Sequence, residues 1–203
     1  MELVRDLGMF VSVEPSTDNP ENISFANYIL AGRIIEIASG MSYPDYINQY
    51  VFAPAGLQHT SYCLPQPAGM ATGYYVPGNQ YKFHTLNVSA VFSAGGLCST
   101  VGDLLLWSEA LANGKVVSPE SYQKMITPVQ FSDSAFGPLG YGLYVKQDAY
   151  GQQIGFLGAE ASFHSYLFWY PEKGLTVVLL SNTGNVDNKL MAKLQAEIPV
   201  LMP

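Results

Sequence analysis

Residues 155–182 read GFLGAEASFHSYLFWYPEKGLTVVLLSN. Two long runs rich in aromatic and β-branched residues, SFHSYLFWY (162–170) and LTVVLLSN (175–182), flank Pro171-Glu172-Lys173-Gly174. Such runs bounded by Pro and Gly read as strands. A four-residue link is too short for a helical crossover, so the two strands must be antiparallel. The same pattern extends upstream. QQIGFLG (152–158) precedes a turn at Ala159-Glu160, and YGLYVKQD (141–148) precedes one at Tyr150-Gly151. The expectation is a meander of four antiparallel strands.

Further upstream the period becomes helical. Tyr28 to Ser39 reads as a helix with Leu30, Ile34, Ile37 and Ala38 on its buried face and Gly40 as a left-handed cap. Ser42 caps a second helix to about Phe52, ended by Pro54-Ala55-Gly56. Residues 57–98 read as a long surface excursion. Thr100 then caps a helix, with Asp103 as the return partner of a capping box and Leu104, Trp107 and Leu111 as its apolar stripe. Gly114 ends it, and Ser118-Pro119-Glu120 opens another. A last helix over NKLMAKLQAEI lies on the sheet through Leu190 and Leu194. Helices, then strands, then one helix give an α+β fold, an antiparallel sheet covered by helices.

Composition narrows the function. Charged residues make up 12% of the chain and hydrophobic ones 48%, so it folds. The usual charged share is roughly 25%, so much surface is expected to lie against something, further chain included. A net charge of −7 argues against nucleic acid, which needs clustered cations. No run of apolar residues is long enough for a transmembrane helix, and the first residues do not resemble a signal peptide. Cys63 and Cys98 lack metal-ligand spacing; they are a structural thiol pair or, in an oxidising compartment, a disulfide. No metal or cofactor is expected.

Taken in order, NYILAGRIIEIASGMSYPDYINQYVFAPAGLQHTSY, SAGGLCSTVGDLLLWSEALANGKVVSPESYQKMITP, YGLYV and the opening stretch resemble the serine β-lactamase-like hydrolases. These are the class C β-lactamases, the penicillin-binding DD-peptidases and related esterases. The resemblance covers about residues 23–198. It implies a β-lactamase/transpeptidase-like fold, hydrolysis of an amide or ester through an acyl-serine, and a mostly periplasmic or secreted setting. The chain itself carries no address. Residues 1–22 are expected to be an irregular lead-in, and 23–203 the C-terminal portion of a single domain. The family's N-terminal helix, first two strands and nucleophile helix are missing on this reading.

The family's site has three motifs. A Ser-x-x-Lys supplies nucleophile and base, a Tyr-x-Asn a proton-handling phenol and a substrate-holding amide, and a Lys/His-x-Gly a donor beside the oxyanion hole. The single Ser-x-x-Lys here, Ser121-Tyr122-Gln123-Lys124, falls in a segment that resembles an ordinary surface helix of the family. The second motif falls on Ile23-Ser24-Phe25 without a gap, or on Phe25-Ala26-Asn27 with two residues deleted. Neither placement leaves a phenol, since phenylalanine has no titratable group. Asn27 is a ligand-holding amide or a helix cap. The third motif falls on Phe156-Leu157-Gly158. Phe156 can donate nothing, Gly158 keeps a backbone open to close approach, and the Ala159 N–H stands where the family has its strand oxyanion donor. Tyr74, Tyr75 and Tyr81 lie in a loop that borders the family's cleft. They are ligand-contact candidates or rings packed on the helices. His164 reads as a surface or cross-strand residue.

The expected partners are a small amide, ester or peptide ligand and further chain carrying the nucleophile. A chain lacking two strands of its sheet leaves an open edge, which predicts self-association. The competing expectation is a non-catalytic relative that uses the cleft only for binding.

Overall fold

A computed structural model describes residues 25–75, 82–84, 88–128, 138–160, 162–184, 193 and 197. The lead-in 1–22, the terminal helix expected from residue 188, and Tyr81 lie outside the described residues, the isolated positions 193 and 197 excepted.

Helix α1 spans Phe25–Ser39, three residues longer at its start than its apolar pattern suggests. Its buried face is not the expected one. Ala26 and Gly32 are buried, whereas Ile34 and Ile37 are 64% and 84% exposed. Apolar residues surround this helix, so periodicity could not choose between faces. The contact does choose: a Cβ on Gly32 would collide with the Ser93 side chain, so only glycine lets the 92–94 turn lie this close. Gly40 takes the left-handed cap, φ 69°.

Ser42 accepts from the Asp45 N–H and caps α2, Tyr43–Ile47. The helix does not stop near Phe52. A π-helical turn over Asn48–Phe52 carries it into α3, Ala53–Ala55, with left-handed Gly56 closing it. Pro54 sits in the first turn of α3, where its missing N–H costs nothing.

Residues 57–98 are not a loose excursion. Strand β1, Ser61–Tyr62, pairs with β4, Leu97–Cys98, and Cys63 and Cys98 are joined by a disulfide. Between them β2, Gly73–Tyr75, and β3, Lys82–His84, form a hairpin. Helix α4, Val88–Val91, and the turn Phe92–Ala94 follow. Tyr43, Tyr62 and Phe92 form a ring cluster here, with Tyr43 and Phe92 centroids 5.1 Å apart.

Thr100 caps α5, Val101–Ala112, by accepting from the Asp103 N–H. The carboxylate of Asp103 does not return to close a capping box. It is 3% exposed and accepts from the His59 N–H (2.8 Å) and the Thr60 hydroxyl (2.7 Å), tying the 57–60 turn to the helix. Helix α6, Pro119–Met125, is capped by Ser118.

The sheet is the expected meander, β5–β6–β7–β8, with every pair antiparallel. Its strands are Tyr144–Asp148, Gly151–Glu160, Phe163–Tyr170 and Leu175–Ser181. Residues 141–143 precede the first strand, and β6 runs through the expected Ala159-Glu160 turn. Leu111, Tyr122, Ile126, Val145, Ile154 and Trp169 form one core between α5, α6 and the sheet. At the far end of the sheet Tyr170 donates to Asp148 (2.9 Å) and accepts from Gln153. Burial, then the Asp148 bond, pushes its phenol up to about 12.

Candidate functional site

Strand β5 stops pairing at Tyr144, opposite Gly155. Strand β6 continues for five more residues, Phe156 to Glu160, bonded to β7 on one side only among the described residues. The third-motif positions therefore lie on an open strand edge, which can offer backbone donors and acceptors to an extended ligand. Alternation along the sequence marked a strand here; the unequal strand lengths that open its edge could not be read from it.

Gly158 pairs with Ser165, and Ala159 with His164. A Cβ on Gly158 would meet only the Ser165 side chain. Ala159 is exposed. His164 is half-buried, with Nδ1 3.1 Å from the Thr183 carbonyl, which fits a cross-strand residue. Phe156 is half-buried, and its ring stacks on Tyr144, centroids 5.1 Å apart at an interplanar angle of 15°. An aromatic pair thus fills the position where the family pattern has a cation or donor.

The start of α1 reaches the same region. Phe25 opens the helix at 51% exposed, and Asn27 is its third residue, exposed. A helix cap has non-helical backbone, so Asn27 is not one. Tyr28 stands one turn beyond Phe25. The position of a Cβ on Gly142 lies 3.6 Å from its hydroxyl. Burial, with Tyr28 nearby, raises the phenol pKa of Tyr144. A chain of rings, Tyr28 to Tyr144 to Phe156, joins the second- and third-motif positions. Tyr28 and Tyr144 were not singled out from the sequence. For Tyr28 a signal existed, its spacing of three residues from Phe25 on a helix; for Tyr144 the contact is across strands and leaves none.

Tyr74 and Tyr75 lie in β2, with Tyr74 against Phe83, centroids 5.4 Å apart, and Tyr75 49% exposed. The hairpin adjoins the sheet just past β8. The Tyr74 N–H donates to the Asn182 carbonyl (2.8 Å), and the Gly184 N–H to that of Tyr74 (2.9 Å). Gly73 lies against Ser162 and Phe163, immediately after the third-motif strand. The hairpin therefore forms a rim at the end of that strand.

Ser121 and Lys124 stand apart from this constellation in their bonding. Both are exposed; Ser121 is hydrogen-bonded to the Ser118 hydroxyl (3.1 Å), and Lys124 pairs with Glu120 (2.8 Å). A depression of about 680 Å³ lined by Ser42, Asp45, Asn48 and Gln49 contains none of the candidate residues. Among the described residues no cluster of His, Cys, Asp or Glu could hold a metal, and no helix is long and apolar enough to cross a membrane.

An antiparallel meander backed by helices, with a glycine-bearing open strand beside a helix start, is a β-lactamase/transpeptidase-like fold. A model of the beta-lactamase family matches residues 24–199, and the chain belongs to that family of serine hydrolases. It is similar to PbpX of Bacillus subtilis (strain 168), which carries a penicillin-binding name, at 30% identity over 85% of this chain and 44% of the relative. A D-aminopeptidase of Brucella canis is 22% identical over 86% of this chain and 34% of its own length. Among solved structures, the octameric penicillin-binding protein homologue of Pyrococcus abyssi superposes with a TM-score of 0.79 at 24% identity. That match covers 99% of this chain and 47% of the homologue. The D-amino acid amidase of Ochrobactrum anthropi gives 0.70 at 26% identity, over 82% and 51%. The chain thus spans about half the length of these relatives or less.

Proposed function

We propose that this chain forms the second- and third-motif side of a serine-hydrolase cleft and carries no nucleophile of its own. Hydrolysis of an amide or ester through an acyl-serine would need a Ser-x-x-Lys from a segment outside these 203 residues. Residues 23–203 are, on this reading, the C-terminal portion of one domain, inactive alone. The observation that carries the proposal is the bonding of the single Ser-x-x-Lys. A nucleophile must be activated by its base, yet Lys124 is held by Glu120 and Ser121 is bonded to Ser118. The D-aminopeptidase and D-amino acid amidase relatives favour an amide as the scissile bond. Asn27 and the open edge at Phe156, Gly158 and Ala159 would hold the ligand.

The test is to assay the chain against a chromogenic cephalosporin, D-amino acid p-nitroanilides and short p-nitrophenyl esters. The expected result is no turnover above background. Turnover that disappears in Ser121→Ala would overturn the reading.

A second reading has its own observation. Phe156 stacked on Tyr144 puts a ring pair where the family has a polar group, a change that fits a cleft kept for binding alone. The upstream reading frame separates the two. A Ser-x-x-Lys there supports a hydrolase with an altered site, and its absence supports the binding role.

A further inference from the structure

We propose that the Cys63–Cys98 disulfide is a redox clamp that holds the 73–84 hairpin on the rim of the cleft. The bond joins residues 35 apart, and the hairpin lies wholly within the loop it closes. Apart from this bond, the base of the loop is held by a ladder of two residue pairs, Ser61 with Cys98 and Tyr62 with Leu97, and by the Cys63 N–H donating to Gly96. Met70, three residues before Gly73, lies between clamp and hairpin in sequence, and its sulfur is 3.6 Å from that of Cys98.

The far end of the hairpin meets the sheet through few bonds. These are two backbone bonds of Tyr74 to 182–184 and one from the Asn182 side chain to the Thr72 carbonyl (2.8 Å). This docking carries an unfavourable feature. Gly73 presses against Ser162, whose hydroxyl is fully buried and has no hydrogen-bond partner among the described residues. A buried orphan hydroxyl opposes the closed position, because withdrawal of the hairpin would let water reach it. The loop-closing bond acts in the other direction by limiting how far the open loop can wander. Cys98 is half-buried, so a reductant has less to displace at its sulfur than at that of Cys63, which is 2% exposed.

Reduction by a dithiol adds two electrons and two protons to the S–S bond. It leaves two cysteine thiols and the reductant's own disulfide. The hairpin then leaves the end of β6, widening the open edge beyond Ala159. This concerns the same rim as the proposed cleft, but its test reads thiols and amide exchange, which do not depend on hydrolysis.

The experiment is thiol alkylation with mass spectrometry, together with amide hydrogen exchange of the full chain before and after treatment with dithiothreitol. Oxidised protein should alkylate at neither cysteine, and reduced protein at both. Exchange at Tyr74 and Gly184 should accelerate at least about tenfold on reduction, while Ile154 and Trp169 in the core stay protected. The Cys63→Ser/Cys98→Ser variant should exchange like the reduced protein. If that variant fails to fold, reduction of the folded wild type still gives the comparison. Free thiols in air-oxidised protein would overturn the proposal. So would unchanged exchange at Tyr74, or loss of protection across β6 and β7 together, which would mark a crosslink that only holds the whole fold.

Discussion

Two glycines on one strand separate what the fold requires from what a ligand would require. A Cβ on Gly155 would run into the Leu167 carbonyl and would lie 2.7 Å from the Phe168 ring and 2.8 Å from its Cα. Backbone cannot rotate away, so Gly155 is demanded by close strand packing. A Cβ on Gly158 would meet the Ser165 hydroxyl, which can rotate, and otherwise only Ser165 Cβ at 3.6 Å. Alanine also gains over glycine in a strand interior, by about 0.5–1 kcal/mol. Gly155→Ala should therefore cost about 2–3 kcal/mol, and Gly158→Ala less than about 1 kcal/mol, as read from urea unfolding midpoints. Gly158 is then a glycine that folding does not need, which is what a strand edge kept clear for a ligand would have. Equal and large losses at both positions would remove that argument for Gly158.

At the scale of elements, Asp103 links α5 to the turn before β1. Its carboxylate is buried and accepts two hydrogen bonds from residues 43 and 44 positions away. Removing it strands the His59 N–H and the Thr60 hydroxyl, although Ser99 can still pair with the latter at 2.8 Å. Asp103→Ala should lower stability by about 2–3 kcal/mol, whereas Thr100→Ala, which removes only a cap, should cost about 1 kcal/mol. Thermal melts of the two variants would test the order; a milder Asp103 effect would mean that the contact with the turn contributes little. The same residue marks the limit of sequence reading. Thr-x-x-Asp before an apolar run correctly gives the helix start, but the carboxylate serves a distant partner that local spacing cannot reveal. The β5–β8 meander was legible because its turns are short and its pairing is between neighbours. Strands β1 and β4 were not, since two residues carry no periodicity and their partners lie 35 positions apart. The candidate positions on β6 were legible only through family resemblance. Nothing local to Phe156 announces that β5 ends beside it.

Across the whole molecule, apolar surface is left uncovered on two helices and beside the sheet. Ile34 and Ile37 of α1 are 64% and 84% exposed, Leu105 and Leu106 of α5 are 38% and 44%, and Leu180 on the last described strand is 38%. Strand β8 has a neighbour on one side only among the described residues. Apolar stripes and an open strand edge of this kind mark surfaces that bind other chain. On the proposed reading, further chain would cover them; expressed by itself, this sequence should cover them with its own copies. The octameric Pyrococcus homologue is consistent with association, although it contains about twice this length of chain. Sedimentation of the 203-residue chain at tens of micromolar should therefore give masses well above 22.1 kDa. Replacing Ile34 and Ile37 by Ser should shift the distribution toward monomer. Both side chains are already in water, so the replacement removes little burial within the chain. A sharp monomer for the unaltered chain would show that these faces need no partner, and would remove the main physical support for chain beyond this sequence.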